Sequence, residues 1–468
     1  MALAAAAGCT AVIDAREAQR AVSAKAVGLV PASGRTRLAG MGLADLVDFA
    51  LTNRPEMASA YYDVVDAHLA MLELEADAPL ASSTPWKAPS LSAKIGRSAS
   101  SKAAHFDGLK WHTDGGASGS LSLDVLVWDF GRNRAQVAAQ AESVVASELR
   151  FSKEGFSVFE EVASAYFGVL EADALLDVAL TNEFECAEHL RQAEDRLAAG
   201  EAKTLDVLRA KTDLAAARES SVAASNGVAT AGAEFVRALG LDVSVATRED
   251  VLPRAEAPLG RMPRAFAESG FGAAEAFAFA RTNAPSAQVA RAKLRAASDR
   301  VDYAVADLMP SVSATASLEW SDPLWLWRWG VGGVQSVFEG WRKTAAVDRA
   351  VAAMLAADAE VDRAEQELSL AAALAVAERD GAREALAAAE ESVRQAKEGL
   401  DTALAQFDAG EASRVDVADA TSAYAEALGS RVKAFYRGQK AEAKLFSVVG
   451  VAPRYAEGAA GAATEARQ

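Results

Sequence analysis

The chain is written twice, and that doubling constrains its fold more than any other feature. Ala50-Leu51-Thr52-Asn53-Arg54-Pro55 returns as Ala280-Arg281-Thr282-Asn283-Ala284-Pro285, and Pro89-Ser90-Leu91-Ser92-Ala93 as Pro310-Ser311-Val312-Ser313-Ala314. Phe130-Gly131-Arg132 is answered by Phe338-Glu339-Gly340-Trp341-Arg342. Gly200-Glu201-Ala202, with Asp206-Val207 beyond it, is answered by Gly410-Glu411-Ala412 with Asp416-Val417. The landmarks keep one order, so each half is one structural unit. The repeats run over 41–250 and 265–450. The stretch 251–264, with Pro253, Pro258 and Pro263, reads as a linker, and 1–40 and 451–468 as flanking segments.

Within each half the order is helix, two strands, then a long helical hairpin. Leu46, Phe49, Ala50, Met57 and Tyr61 fall at helical spacing over 43–78, and Pro79, Pro85 and Pro89 end that segment. Alternation at period two predicts strands at about 90–97 and 118–128, where Leu121, Leu123, Val125 and Val127 share a face. The Gly- and Ser-rich stretch 98–117 between them reads as a loop. The second pair is predicted at about 311–320 and 330–338, around a loop carrying Trp325, Trp327 and Trp329. With Trp320 these make a candidate set of membrane-interface aromatics, since an indole favours the boundary between hydrocarbon and water. A hydrophobic patch at a protein contact is the other reading.

Strands of about ten residues match the span of a tilted membrane strand. Four of them cannot close a barrel, and open edges cannot sit in lipid. Three copies of four strands give a twelve-stranded wall, within the range of known barrels. Several copies must therefore share one barrel in lipid, and a homotrimer is one closure that fits.

No apolar run reaches the roughly 18 residues that a spanning helix needs. Of the 468 residues 51% are hydrophobic, but that share is mostly Ala, which favours long, closely spaced helices. A net charge of −17 argues against nucleic acid as a partner, while an acidic pore would attract cations. Cys9 and Cys186 form no disulfide framework, and four scattered histidines support no metal site. No cofactor is indicated. No nucleophile, base and oxyanion donor converge, which argues against an enzyme. Ala7-Gly8-Cys9 resembles the end of a lipoprotein signal, making Cys9 a candidate lipid attachment; an Ala-rich terminus is the alternative.

From Gly131 to Gly200 no proline interrupts the chain, so a helix of about 100 Å is expected. Val137, Val144, Phe151, Val158 and Ala165 stand at steps of seven. In the second half Ala382, Leu386, Ala389, Val393, Ala396, Leu400, Ala403 and Phe407 alternate steps of four and three, a coiled-coil seam with Ala on one side. Gly200 and Gly410 end the long helices, and a second helix returns from each turn. Cys186 is expected as an inert thiol, and Glu160-Glu161 and Glu390-Glu391 as solvated helix faces.

These stretches resemble the TolC-like outer-membrane factor family, above all in Val415-Asp416-Val417-Ala418-Asp419-Ala420-Thr421-Ser422. The resemblance spans about 40–450. It implies a trimeric twelve-stranded β-barrel continued by a twelve-helix coiled-coil α-barrel. It further implies tips that meet a periplasmic membrane-fusion (adaptor) protein, linked to an inner-membrane pump or an ABC exporter. Asp416 and Asp419 match the acidic ring at the family's closed entrance, and Asp206 matches a gate-holding aspartate of the neighbouring hairpin. The polar tyrosine and arginine of that gate are replaced here by Phe407 and Ala412, with Arg414 as a candidate substitute. Gly200, Leu205, Gly410 and Val415 occupy the turns an adaptor would touch. Asp416 also has a plainer reading, as an acidic residue favoured at a helix N-terminus. The function so implied is a passive exit duct for efflux or type I secretion; the competing reading is a soluble or periplasmic coiled-coil scaffold.

Overall fold

The computed structural model describes residues 42–76, 90–102, 112–200, 203–243, 272–321, 324–334, 340–409 and 411–451, with Phe266 and Gly270. Cys9, Gly410, the linker 251–264 and the tail beyond 451 lie outside the described residues. The first repeat contains α1 (Leu43–Asn53), α2 (Pro55–Ala76), β1 (Ser90–Lys102), β2 (His112–Trp128), α3 (Arg132–Ala198) and α4 (Thr204–Ala238). The second contains α5 (Ala273–Asn283), α6 (Pro285–Ala306), β3 (Ser311–Ser321), β4 (Leu324–Val334), α7 (Arg342–Asp408) and α8 (Arg414–Val449).

The helix expected over 43–78 is two helices. Pro55 and Pro285 each occupy a first helical position, and a residue before proline is pushed out of the helical region. Arg54 (φ −73°, ψ 135°) and Ala284 (φ −63°, ψ 124°) are extended accordingly. Each corner sits on the end of a return helix. Gly240 closes α4 at φ +74° and Gly450 closes α8 at φ +71°. A Cβ on Gly240 would stand 3.1 Å from the Arg54 Cα, and one on Gly450 would stand 2.9 Å from the Ala284 Cα. The repeated Asn-X-Pro motif is thus half of a helix-to-helix splice whose other half is a glycine about 170 to 190 residues away.

Around these splices lies the main core. Leu46 and Ala50 of α1, Val162 and Phe167 of α3, Phe235 of α4 and Phe446 of α8 are buried together with Phe266. Glu161, expected on a solvated face, instead joins a three-membered ion cluster with Arg54 and Arg237, each at 2.5 Å. Burial works against both charges. Burial is the largest single effect, but the hydrogen bonds and charge attractions among Arg54, Glu161, Arg237 and Glu56 together outweigh it, raising the guanidinium pKa and lowering that of the carboxyl.

The long helices follow the predicted seam. All eight residues from Ala382 to Phe407 in the four–three pattern are buried or half-buried. Both long helices have 67 residues, so the two tips end level, about 100 Å from the strands.

The four strands form one antiparallel sheet in the order β1-β2-β3-β4. Its strands depart from the predicted bounds. Most of the supposed loop 98–117 is ladder, with Arg97 to Lys102 paired to His112 to Ala117. Trp325, Trp327 and Trp329 lie on β4, not on a loop, because that strand starts at Leu324 and stops at Val334. Gly, Ser and Ala carry weak alternation, yet backbone pairing does not require large side chains, so periodicity alone ends such strands too early.

The second strand of each hairpin is followed, before its long helix, by two consecutive left-handed residues, Phe130-Gly131 (φ 56°, 88°) and Gly340-Trp341 (φ 61°, 64°). The glycine and the aromatic exchange places between the repeats. Asp129 caps α3 by accepting the Gly131 and Asn133 N–H groups at 3.1 and 2.9 Å. At the end of α6, Asp307 receives Arg132 at 3.1 Å through its carboxylate and Lys343 at 2.5 Å through its carbonyl, joining both long helices.

Candidate functional site: the sheet face and the helical tips

Residues directly opposite in a ladder share a face. Leu121 stands opposite Leu318, and Leu318 opposite Trp327; Leu123, Ala316 and Trp329 make a second such row. Leu121, Leu123, Leu318, Trp325, Trp327 and Trp329 are exposed, so this face is apolar across three strands. The other face is the more polar one: Ser92 Oγ meets Ser122 Oγ at 2.7 Å, and Arg328 meets Glu319 at 3.1 Å, with Leu326 exposed opposite Glu319. Both outer edges, on β1 and β4, are unpaired among the described residues. Trp320 pairs with Trp325 through the backbone; its side chain lies outside the described atoms.

Sequence reasoning overlooked a second aromatic set at the helical end of the sheet. Trp128, Phe130 and Trp341 are all strongly exposed, and Trp128 meets Phe130 edge-to-face at 6.0 Å. The available signal was an aromatic beside the corner glycine in both repeats, which had served only as a landmark of the duplication.

At the tips, Gly200 turns the chain at φ +76° and α4 begins after Lys203. Asp206 accepts the Lys203 N–H at 3.1 Å. In the second tip Asp416 accepts the Ser413 N–H at 2.7 Å, while Ser413 Oγ accepts the Asp416 N–H at 3.4 Å. Asp416 thus closes a capping box with Ser413, and Asp206 supplies the carboxylate half of one, since the Lys203 side chain cannot accept; this shared role explains their recurrence in matched turns. Hydrogen bonds from Ser413 hold the Asp416 carboxyl below its usual range. Leu205 and Val415 are exposed apolar groups beside these turns. Arg414 opens α8, with its side chain outside the described atoms.

Asp206, Val415 and Asp419 line one cavity of about 390 Å³ between α3, α4 and α8, joined by Arg209, Asp213 and His189. Cys186 borders it too; burial first, then Asp213 and Glu185, push its thiol pKa up, which disfavours the reactive thiolate. Asp416 stays outside that lining. Phe407 has an unforeseen partner: the Arg196 guanidinium carbon lies 4.6 Å from its ring centroid. The contact joins the end of α3 to the end of α7. Arg196 gave no sequence signal beyond a cation in the last turn of a helix. Among the described residues no cluster of His, Cys, Asp or Glu suits a metal ion, and no helix is long and apolar enough to cross a membrane.

A doubled chain, an amphipathic sheet with two open edges and level helical tips define a fold of one four-stranded sheet continued by two long helical hairpins. The chain belongs to the outer membrane efflux protein family, whose model matches residues 46–241 and 279–451. It is similar to the outer membrane efflux protein BepC of Brucella suis biovar 1 (strain 1330), 23% identical over 308 residues. That match covers 64% of this chain and 64% of the relative, less than two thirds of its length. The fold is similar to that of the outer membrane protein VceC from Vibrio cholerae, with a TM-score of 0.72 at 18% identity, covering 87% of this chain and 96% of that one. It is also similar to the Campylobacter jejuni CmeC outer membrane channel, with a TM-score of 0.70 at 16% identity, covering 90% and 88%.

Proposed function

We propose that three copies of this chain form a passive exit duct, a β-barrel in the outer membrane continued by a helical tunnel through the periplasm. The observation that carries this reading is the sheet: one apolar face, one polar face and two open edges. In lipid, β4 of one copy must pair with β1 of the next, because unpaired backbone groups have no solvent partner there. The two exposed aromatic sets then mark the two boundaries of the apolar band. A soluble scaffold would leave that apolar face and those edges uncovered, favouring aggregation.

The energy for transport comes from an inner-membrane pump or ABC exporter, reached through a periplasmic adaptor that docks on the tips at Gly200, Leu205, Gly410 and Val415. Asp416 and Asp419, repeated three times, form the acidic entrance, with Asp206 beside it. The Arg196–Phe407 contact takes the place of a polar gate link, and Arg414 is a further cation at that turn. Cys9 is a site for lipid attachment. The test is purification in detergent followed by mass determination and planar-bilayer recording. A trimer that conducts, and loses cation block when Asp416→Asn and Asp419→Asn are combined, supports the reading. A water-soluble monomer without conductance removes it; unchanged block removes the acidic entrance alone.

A further inference from the structure

Several exposed cations of this acidic chain pair with acids on their own helices, as Arg191, Arg363 and Arg394 do. One groove gathers four that do not. Between α3, α6 and α7, nearer the sheet than the tips, lies a groove of about 900 Å³. Its floor is alanine from all three helices, including Ala146, Ala296 and Ala353. Its lining carries Arg150 from α3, Lys293 and Arg300 from α6, and Arg349 from α7. None of the four has a salt bridge among the described residues. The one carboxylate in the lining, Glu142, is held by Arg295 at 2.8 Å. Asp299 stands outside the lining, its carboxyl pushed up by burial, then by Glu142 and Asp302.

Four cations without an ion-pair partner among the described residues repel each other across one concavity, which the single carboxylate Glu142, itself paired with Arg295, does not offset. A concave wall of low dielectric also concentrates their field, which favours a mobile anion over bulk solvent. The direction of the groove follows from packing. Leu51 of α1 lies 3.8 Å from where a Cβ would stand on Gly155 of α3. On the seven-residue repeat of that helix, Gly155 lies about half a turn from Ser143, Ala146 and Arg150. The short helix α1 therefore covers the face opposite the groove, and α5 covers α7 at Leu368 and Ala372. In a tube closed by three copies, the concave side faces the bore.

We propose that this groove is an anion-binding belt lining the upper tunnel, and that the duct admits small solutes bearing carboxylate or phosphate groups. The proposal rests on the duct reading above. Alanine supplies width, arginine a forked donor that matches a carboxylate or phosphate oxygen pair, and the three copies repeat the four charges around the bore.

The experiment is the reversal potential of the full-length chain in planar bilayers under a potassium chloride gradient, with inorganic phosphate added as a second probe. Combining Arg150→Gln, Lys293→Gln, Arg300→Gln and Arg349→Gln should lower the chloride-to-potassium permeability ratio by about threefold or more and abolish current reduction by phosphate. Arg150→Lys, Arg300→Lys and Arg349→Lys together should keep the ratio. Should the fourfold variant not assemble, the Arg300→Gln, Arg349→Gln pair carries the same test. A conducting variant with unchanged ratio and unchanged phosphate response overturns the belt and leaves the duct standing. So does a variant that only loosens the trimer, because the cations would then be satisfied by acids of a neighbouring copy. A wild-type chain without any conductance overturns both readings.

Discussion

The two repeats agree in their helices and disagree in their strands. The first helices have 11 residues in each repeat, the second 22 and the long ones 67, while the return helices have 35 and 36, a difference within the one or two residues by which helix ends fray. The strands have 13 and 17 residues in the first repeat but 11 and 11 in the second. The first hairpin carries its pairing past the point where Ser118 meets Ser321, into a Ser- and Gly-rich ribbon, whereas the second ends in a tryptophan-rich pair. Helices that pack side by side in one wall must keep length and register, since a one-residue change rotates the seam by about 100°. A strand that extends beyond the shared ladder meets no such demand.

The repeats also differ at their splices, and the largest expected effect lies there. Gly450→Val places side-chain atoms against the Ala284 backbone in a left-handed conformation and should cost about 3–4 kcal/mol. Gly131→Ala, at φ +88° with open space around it, should cost only about 1 kcal/mol. The midpoint of thermal helix loss in detergent, read by circular dichroism, ranks the two; equal midpoints would refute the splice.

A smaller effect sharpens the same contrast, because Arg54 of the first splice is Ala284 in the second. Glu161→Gln leaves the 6%-exposed Arg54 side chain without its main counter-charge and should cost about 2–3 kcal/mol. The folded Glu161 carboxyl titrates below its unfolded value, so its stabilisation is fully present above the ordinary carboxylate pKa. It is lost as pH falls through the lower, folded value. Acid should therefore loosen the first splice before the second. Hydrogen exchange at 235–241 compared with 445–451 checks that order, and the substitution should remove the difference.

The strands offer the next comparison. Trp327→Arg puts a charge on the apolar face and should destabilise the assembled barrel by about 2 kcal/mol, whereas Ser317→Thr on the polar face should be near neutral. Resistance of the proposed trimer to heating in detergent measures both, and equal effects would mean that the faces are assigned wrongly. The smallest effect belongs to the tips. Arg196→Gln removes the contact with Phe407, worth about 0.5–1 kcal/mol at an exposed site. Bilayer recordings should show more frequent opening, as should Phe407→Leu, with no added effect when the two are combined.

Much of this architecture was legible because its signals are local and doubled. Proline and glycine punctuation located both hairpins, and the four–three pattern of Ala382 to Phe407 located a seam that the structure buries. The polar ends of β1 and β2 were not legible, since Ser98 to Lys102 carries no apolar alternation. The three tryptophans of β4 were recognised but misplaced on a loop, since the strand that carries them runs over Leu324–Val334 and not 330–338. At the tips the aspartates stood out as recurring acids. Their backbone partners could not be read from spacing alone, because a capping box depends on how the preceding turn is closed.

The sequence by itself determined the duplication, the two long uninterrupted helices and the two turns, because each rests on chain stereochemistry. Tertiary structure alone decided which distant residues meet: Gly450 with Ala284, Arg196 with Phe407, Glu161 with Arg54, and four cations around one alanine groove. Those meetings join residues tens to hundreds of positions apart. Only the packing of helices some 100 Å long sets which faces converge, and no periodicity within a single helix records it.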